Sequence, residues 1–419
     1  MSVLGLVVEY NPFHNGHSYH LEQARKLTGA ELSVCVMSGN FIQRGEPALV
    51  NKWARTKAAI LSGIDLVIEL PVVYSMASAE FFAFGAVKIL DSLGLVDYIC
   101  FGSENGTMGQ FESIADILLQ EPPLYKNILK EYLFKGYSFP SSREFALRQY
   151  LNETGTNTDN LDQIISTSNN ILGVEYIKAL KRLNSKIKPF TIKRINNTYN
   201  CHELTGSISS ATAVRKSISE NIEGDSNCNL AQTLPSHSLS VLNEEFRCKR
   251  GPVFPVRYED LILSFLRKMP LEKIADAPYV GEGLENRLKR AANDSGSLDE
   301  LIEKACTRRY TRTRIQRILF SILIGLSADD FRQFNSYGGP QYIRVLGFNK
   351  KGRDLLSAAK AKATLPIIVK TADYKKTCNP LLKKMLEIEA AATDIYVLAY
   401  DNPLYKKAGQ EYTQNIIRI

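Results

Sequence analysis

Cysteine is scarce in this chain of 419 residues: Cys35, Cys100, Cys201, Cys228, Cys248, Cys306 and Cys378 are an odd set, widely scattered, with no C-x-x-C pair. That spacing excludes a disulfide framework and suggests no zinc site, so no metal-ligating residues are expected. No run of about 18 uninterrupted apolar residues exists to span a membrane. The amino terminus has no charged region ahead of its apolar run, and Glu9 interrupts that run, so it does not read as a secretory signal. There is no G-X-Y period, internal repeat or low-complexity tract, and 44% hydrophobic with 23% charged residues is too apolar and too mixed for disorder. A cytoplasmic protein of roughly two or three domains is the default expectation.

What is present is a mild excess of basic over acidic residues, 52 against 44. A formal charge of +8 permits a polyanionic partner without requiring one, so the placement of the charge matters more than its sum.

The first hundred residues alternate nearly continuous apolar runs, VLGLVVEY (3–10), ELSVCVM (31–37), IDLVIEL (64–70) and VDYICFG (96–102), with helical patterns near 17–28, 52–62 and 77–93. Runs of that kind are strands buried on both faces, and the β-α-β order predicts a doubly wound parallel sheet whose ligands bind at the strand carboxyl ends. Residues 106–185 read as helical, and KIKPFTIKRI (186–195) as a strand returning to the sheet. The turn-rich EGDSNCNLAQTLPSHSL (223–239) marks the expected boundary between a catalytic domain over 1–222 and a mainly helical α+β region over 223–419. That second region divides into subdomains of about 240–335 and 336–419, the latter with strand-like TLPIIVK and TDIYVLAY.

Histidine is also rare, yet three of the five, His14, His17 and His20, fall within seven residues directly after the first strand. The segment Glu9-Tyr10-Asn11-Pro12-Phe13-His14-Asn15-Gly16-His17 reads as strand, turn, then H-x-G-H opening a helix. Free N–H groups at a helix start attract phosphate, Gly16 admits a close ligand, and imidazole donors suit the charge that grows on a departing pyrophosphate. Taken alone, the same residues are a turn and a helix cap, and His20 reads equally as structural. A second signal is Ser207-Ile208-Ser209-Ser210-Ala211-Thr212-Ala213-Val214-Arg215, where Ser209 or Ser210 caps a helix and Thr212 and Arg215 face phosphate oxygens.

These two motifs resemble those of the HIGH-type nucleotidyltransferase superfamily, whose second motif is usually I-S-S-T-x-x-R; here an alanine precedes Thr212. GLVVEYNPFHNGHSYHLEQAR, MSGNFIQRGEPALVNKWARTKAAILSGIDLVIELP, FGSEN and SNNILGVEYIKAL together are similar to the bacterial tRNA(Met) cytidine acetate ligase family. The resemblance implies that ATP converts acetate to acetyl-adenylate, and that the acetyl group passes to N4 of the wobble cytidine of elongator tRNA(Met). Mg²⁺ accompanies the triphosphate; no membrane or obligate protein partner is implied.

By the same resemblance, ATP contacts fall on Val7, Val8, Glu9, Tyr10, Asn11, Pro12, Phe13, His14, Asn15, Gly16, His17, Ser18, Tyr19 and His20. They continue at Gly102, Asn169, Asn170 and Arg194, while Ser209, Ser210, Thr212 and Arg215 hold the outer phosphates and His14 and His17 are catalytic. Gly102 also reads as a plain strand-to-loop turn, Asn169 and Asn170 as helix caps, and Arg194 as a solvated arginine. The block 39–47 should lie on the binding edge as substrate floor or lid, or be a surface turn. Lys52, Arg55 and Lys57 open the next helix, against phosphate or RNA or simply in solvent.

The densest basic run is Lys304, Arg308, Arg309, Arg312, Arg314 and Arg317, with Tyr310 interleaved. On a helix it would follow an RNA backbone while Tyr310 stacks on a base, or present a solvated face. Lys350, Lys351, Arg353, Lys360, Lys362 and Lys370 form a weaker candidate. Two further readings stand beside the ligase: a small-molecule nucleotidyltransferase using the same ATP site, and an inactive RNA-binding relative.

Overall fold

The expected apolar runs are strands of one sheet in a computed structural model that describes residues 2–104, 108–155, 164, 167–194, 209–220, 227–376 and 378–419. Asn105 of FGSEN, Ser207 and Ile208 of the second motif, and 223–226 of the expected boundary lie outside the described residues. β1 (Val3–Val8), β2 (Leu32–Ser38), β5 (Leu66–Leu70), β6 (Tyr98–Ser103) and β7 (Lys188–Lys193) run parallel. β2 and β5 are buried at every position, as strands covered on both faces must be.

The strand order is β10 (Ile417–Arg418), β8 (Ile343–Phe348), β5, β2, β1, β6, β7. The chain builds outward from β1 through β2 and β5, then crosses back to lay β6 and β7 on the other side. The direction of winding therefore reverses between β1 and β6, where a crevice opens at the strand carboxyl ends. α1 (Asn15–Thr28) and α2 (Lys52–Leu61) bury Leu21, Ala24, Ala58 and Ala59 on one face. α3 (Val72–Ser75), α4 (Ala79–Ser92) and the helix Ser168–Arg182 cover the other. No helix among the described residues is long and apolar enough to cross a membrane.

The carboxy-terminal part is not a separate layer, which corrects the expected seam at 222/223. β8 (Ile343–Phe348) lies antiparallel along β5, and β9 (Ile367–Ile368) and β10 (Ile417–Arg418) lie parallel to β8. Without β8, the wholly buried β5 would end the sheet with an open edge. TDIYVLAY is not a strand: the helix Pro380–Tyr396 runs into it and a 3₁₀ turn, Val397–Ala399, follows. A short apolar run does not by itself separate a buried helix from a strand.

Lys52 and Arg55 are buried, contrary to a solvated or ligand-facing role. Lys52 Nζ sits 2.6 Å from Glu69, 3.2 Å from Glu389 and 2.6 Å from Glu411, joining α2 and β5 to the carboxy-terminal helices. Burial alone would lower the Lys52 pKa, but Glu411, Glu69 and Glu389 together hold it above its ordinary value. Arg344 pairs with Glu411 at 3.0 Å. Arg55 donates to the carbonyls of Val50, Glu9, Ser38 and Gly39, closing the loops after β1 and β2. Lys57 pairs with Glu244 at 2.8 Å near the surface.

Candidate active site

β1 stops at Val8 and the chain turns sharply, with Tyr10 in the left-handed region at φ 46°. Tyr10 and Phe13 are buried and meet edge to face at 4.6 Å, pinning the turn from beneath. Asn11 Oδ1 accepts from Leu49 N at 2.7 Å, fixing it from the side.

α1 then opens on a capping box in which imidazoles replace the usual hydroxyl and carboxylate. Gly16 N donates to His14 Nδ1 at 3.0 Å, and His14 N donates to His17 Nδ1 at 3.3 Å. The two rings stack at 3.8 Å between centroids. A nitrogen that accepts carries no proton, so each neutral ring keeps its proton on Nε2. Burial, then Arg194 and Arg215, lowers His14 to about 3. Burial pushes His17 well below its ordinary value, with His14, His20 and Arg194 adding; His20 falls to about 4 through burial and Arg194. At neutral pH the site therefore presents uncharged imidazoles as Nε2–H donors.

A cleft of about 280 Å³ opens beside them at the ends of β1, β6 and β7. It gathers Val7, Val8, Glu9, Tyr10, Asn11, His14, Gly16, His17, Tyr19, His20, Gly102, Asn169, Arg194, Ser209, Ser210, Thr212 and Arg215. Residues from five separated stretches of sequence meet there. A Cβ on Gly102 would stand 3.3 Å from Arg194 Cγ, so the bare backbone keeps that wall open.

Pro12, Phe13, Asn15, Ser18 and Asn170 do not line the cleft. Pro12 and Phe13 are buried under the turn, and Asn15 Nδ2 donates to Gln232 O at 2.8 Å. Ser18 follows His17 by one residue and is rotated off its helix face. Asn170 is fully buried, accepting from Glu104 N at 3.1 Å, while Asn169 donates to Glu104 Oε1 at 3.0 Å. The pair thus organises the exit of β6 instead of capping its own helix.

Arg215 Nη1 donates to Asn11 O at 2.8 Å and Nη2 to Thr212 Oγ1 at 3.4 Å, tying the second motif to the first. Ser210 Oγ accepts from Ala213 N at 3.1 Å, making it the cap of the helix Ala211–Glu220. The inserted alanine is the first residue of that helix.

The cleft also takes in Ile42, Gln43 and Arg44 from the small hairpin β3 (Phe41–Ile42) and β4 (Glu46–Pro47). This places the 39–47 block at the binding edge. Gln43 N donates to Glu9 Oε1 at 2.9 Å, and Arg317 Nε donates to Gln43 O at 2.8 Å. Phe82, Phe101, Leu172, Tyr176 and Lys193 also line the cleft and went unassigned from sequence. The apolar four carry no chemical mark in a sequence, whereas Lys193 was signalled by its place beside Arg194. Arg44, Lys193, Arg194 and Arg215 face the cleft against one carboxylate, Glu9, which favours an anionic ligand. Glu9 is itself raised by burial, opposed by its bond from Gln43 and by Arg215, Arg55 and Arg44.

The 304–317 basic run does not form the expected helical face. One helix, Leu298–Ala305, carries Lys304 in its last turn and ends there, and another begins at Arg312, so Arg308 and Arg309 lie on the connecting turn. Lys304 pairs with Glu300 at 2.7 Å, Arg309 with Glu282 at 2.7 Å, and Arg312 with Asp299. Arg308 lies over the Tyr137 ring at 3.3 Å, and Arg314 donates to Tyr279 O at 2.7 Å. Tyr310 is only 9% exposed, which rules out stacking on a base. The acidic partners come from other segments, so the run looks unopposed only in one dimension.

A doubly wound sheet with H-x-G-H at its switch point and a hydroxyl-rich, arginine-bearing helix start opposite defines a nucleotidyltransferase of the HIGH class. The HIGH Nucleotidyl Transferase family profile matches residues 1–411. A tRNA(Met) cytidine acetate ligase of Acetivibrio thermocellus is 56% identical over 417 residues, covering 100% of both chains. One of Thermoanaerobacter sp. is 45% identical, again over 100% of both. The crystal structure of Thermotoga maritima TmcAL bound with alpha-thio ATP superposes with a TM-score of 0.93 at 38% identity, covering 100% of each chain. The chain belongs to the tRNA(Met) cytidine acetate ligase family.

Proposed function

We propose that this protein activates acetate with ATP as acetyl-adenylate and transfers the acetyl group to N4 of the wobble cytidine of elongator tRNA(Met). The observation that carries the reading is the reciprocal histidine cap: it points two neutral Nε2–H donors into a cationic cleft at a helix start. The ATP triphosphate lies along His14, His17 and the start of the helix Ala211–Glu220, with Gly102 admitting the adenosine.

An acetate oxygen attacks the α-phosphorus in line as the bond to pyrophosphate breaks. Charge grows on the bridging oxygen, where fixed N–H donors cost no reorganisation. Arg215, Ser210 and Thr212 hold the outer phosphates. The N4 amine then attacks the acetyl carbon, AMP departs, and the amine releases a proton. Mg²⁺ is held mainly by triphosphate oxygens and water, since Glu9 is the one carboxylate lining the cleft among the described residues.

The test is to incubate the protein with ATP, Mg²⁺, labelled acetate and either elongator tRNA(Met) or the same tRNA with its wobble cytidine changed, then to identify labelled nucleosides after digestion. Label in N4-acetylcytidine from the first tRNA alone is expected. An absence of label in both, from folded protein that binds ATP, would favour adenylyl transfer to a small molecule.

A further inference from the structure

Three basic clusters compete to carry RNA, and the structure separates them. In the 304–317 run Lys304, Arg309 and Arg312 pair with acidic side chains and Arg314 and Arg317 donate to backbone carbonyls, which leaves only the exposed Arg308, laid over the Tyr137 ring. The helix Lys350–Lys362 follows β8, whose last residue Phe348 is in register with Leu66 at the start of β5. Asn349 N bonds Asp65 O at 3.1 Å, and Thr364 N bonds Ser92 O at 2.9 Å. Both ends of this helix therefore sit at the amino ends of the parallel strands. A nucleotide bound there is on the wrong side of the sheet from the histidines.

The third cluster is the outer edge strand. β7 is the last strand of the sheet, and Lys186, Lys188, Lys193 and Arg194 are exposed along it, with no acidic residue between Lys186 and Arg194. None of the four forms an ion pair with a described residue, although neighbouring cations do: Lys178 pairs with Glu80 at 2.8 Å and Lys181 with Asp116 at 2.5 Å. The stripe ends in the active site, where Lys193 and Arg194 line the cleft. At ~3.3 Å per residue it is roughly 25 Å long, enough to meet several successive phosphates.

We infer that the β7 edge is the surface that receives the RNA backbone, positioning the acceptor nucleotide so that its splayed base enters the cleft past Lys193 and Arg194. The inference rests on the reading that tRNA is the acetyl acceptor. Its charge complementarity is to phosphate, so the edge positions RNA of any sequence and does not read bases. A base that undergoes chemistry must leave its stack, and the backbone flanking it needs a track that leads to the reacting atoms. Lysines on an edge strand also prevent strand pairing between molecules. Glutamate preserves that protection while reversing the attraction for phosphate, so Lys→Glu changes isolate the RNA role.

The experiment compares the wild type, the double variant Lys186→Glu/Lys188→Glu and the control Lys350→Glu/Lys351→Glu, all as full-length protein. Neither pair lines the cleft. Acetate-dependent ATP–pyrophosphate exchange should be unchanged in all three. In the 186/188 variant the KM for tRNA should rise at least ~10-fold, and its dependence on log salt should flatten by about 1.5, two phosphate contacts' worth. The control should match the wild type. An unchanged KM and salt slope in the 186/188 variant, or an equal effect in the control, would overturn the surface. If wild-type protein with normal exchange acetylates no RNA, the acceptor reading fails first and the surface falls with it.

Discussion

His17 is held on several sides: its Nδ1 takes the His14 N–H, its ring stacks on His14, and Tyr10 meets it edge on at 4.9 Å. Only Nε2 is left to serve a ligand. His17→Ala should therefore lower acetate-dependent ATP–pyrophosphate exchange at least ~100-fold, the cost of losing a fixed transition-state donor. Near-wild-type exchange would remove the histidine from the chemistry. The depressed pKa values make a second prediction. Because His14 titrates at about 3 and His20 at about 4, and His17 well below its ordinary range, the donors are intact throughout neutral and mildly acid pH. The exchange reaction's kcat/KM for ATP, which reports the free enzyme, should show no acid limb near pH 6.5. Beyond the titration of ATP itself, a fall with an apparent pKa close to that of an ordinary histidine would contradict the lowering of these histidines.

Among elements, the β3–β4 hairpin depends closely on one residue. Gly45 has φ 75°, and a Cβ there would stand 2.4 Å from Arg317 N and 2.7 Å from Arg317 Cα, both backbone atoms of a packed helix. Gly45→Ala must strain the turn and push the hairpin off that helix, costing about 2 kcal/mol or more. Gln43 and Arg44 would move with it, so the KM for ATP or acetate should rise together with a drop in melting temperature. Unchanged stability and KM would show that the hairpin is not a fixed wall of the cleft. Arg317 holds this element from the neighbouring helix: its place in a basic run points to RNA, yet it anchors Gln43. Linear proximity to other arginines was the misleading signal.

At the scale of the whole molecule, the buried Lys52 cluster joins chain segments more than three hundred residues apart. Lys52→Met would leave Glu69, Glu389 and Glu411 facing one another with Arg344 as their remaining cation. Removing one partner of a buried ion cluster costs roughly 3–5 kcal/mol, so the urea midpoint should fall markedly and proteolysis should release the carboxy-terminal helices. A midpoint within error of the wild type would deny the cluster its role in docking that region. Acid stability follows from the histidines. Each folded pKa lies below the unfolded value of about 6.5, so the unfolded chain binds more protons once the pH drops under that value. Stability is complete above about pH 6.5 and is lost progressively as the pH falls toward 4 and 3. Melting temperature should decline between pH 6.5 and 5, and His20→Gln should make that decline shallower; an equal slope would show that His20 does not contribute.

The sequence by itself determined the order of the main strands and helices through residue 103, though not the β3–β4 hairpin or the short helix Val72–Ser75, together with the edge at which the cleft opens and the pairing of H-x-G-H with the serine-rich helix start. Those features follow from local causes: apolar runs long enough to be buried on both faces, right-handed crossovers, and residues whose backbone preferences open a helix. Tertiary structure alone decided the rest. It showed that Lys52 and Arg55 face inward, that Tyr310 is covered and Arg309 and Arg312 are paired with acidic side chains, that β8 closes the β5 edge, and that Lys193 lines the same cleft as the histidines. Burial and ion pairing depend on which distant side chains arrive at the same place, and a one-dimensional pattern does not contain that distance.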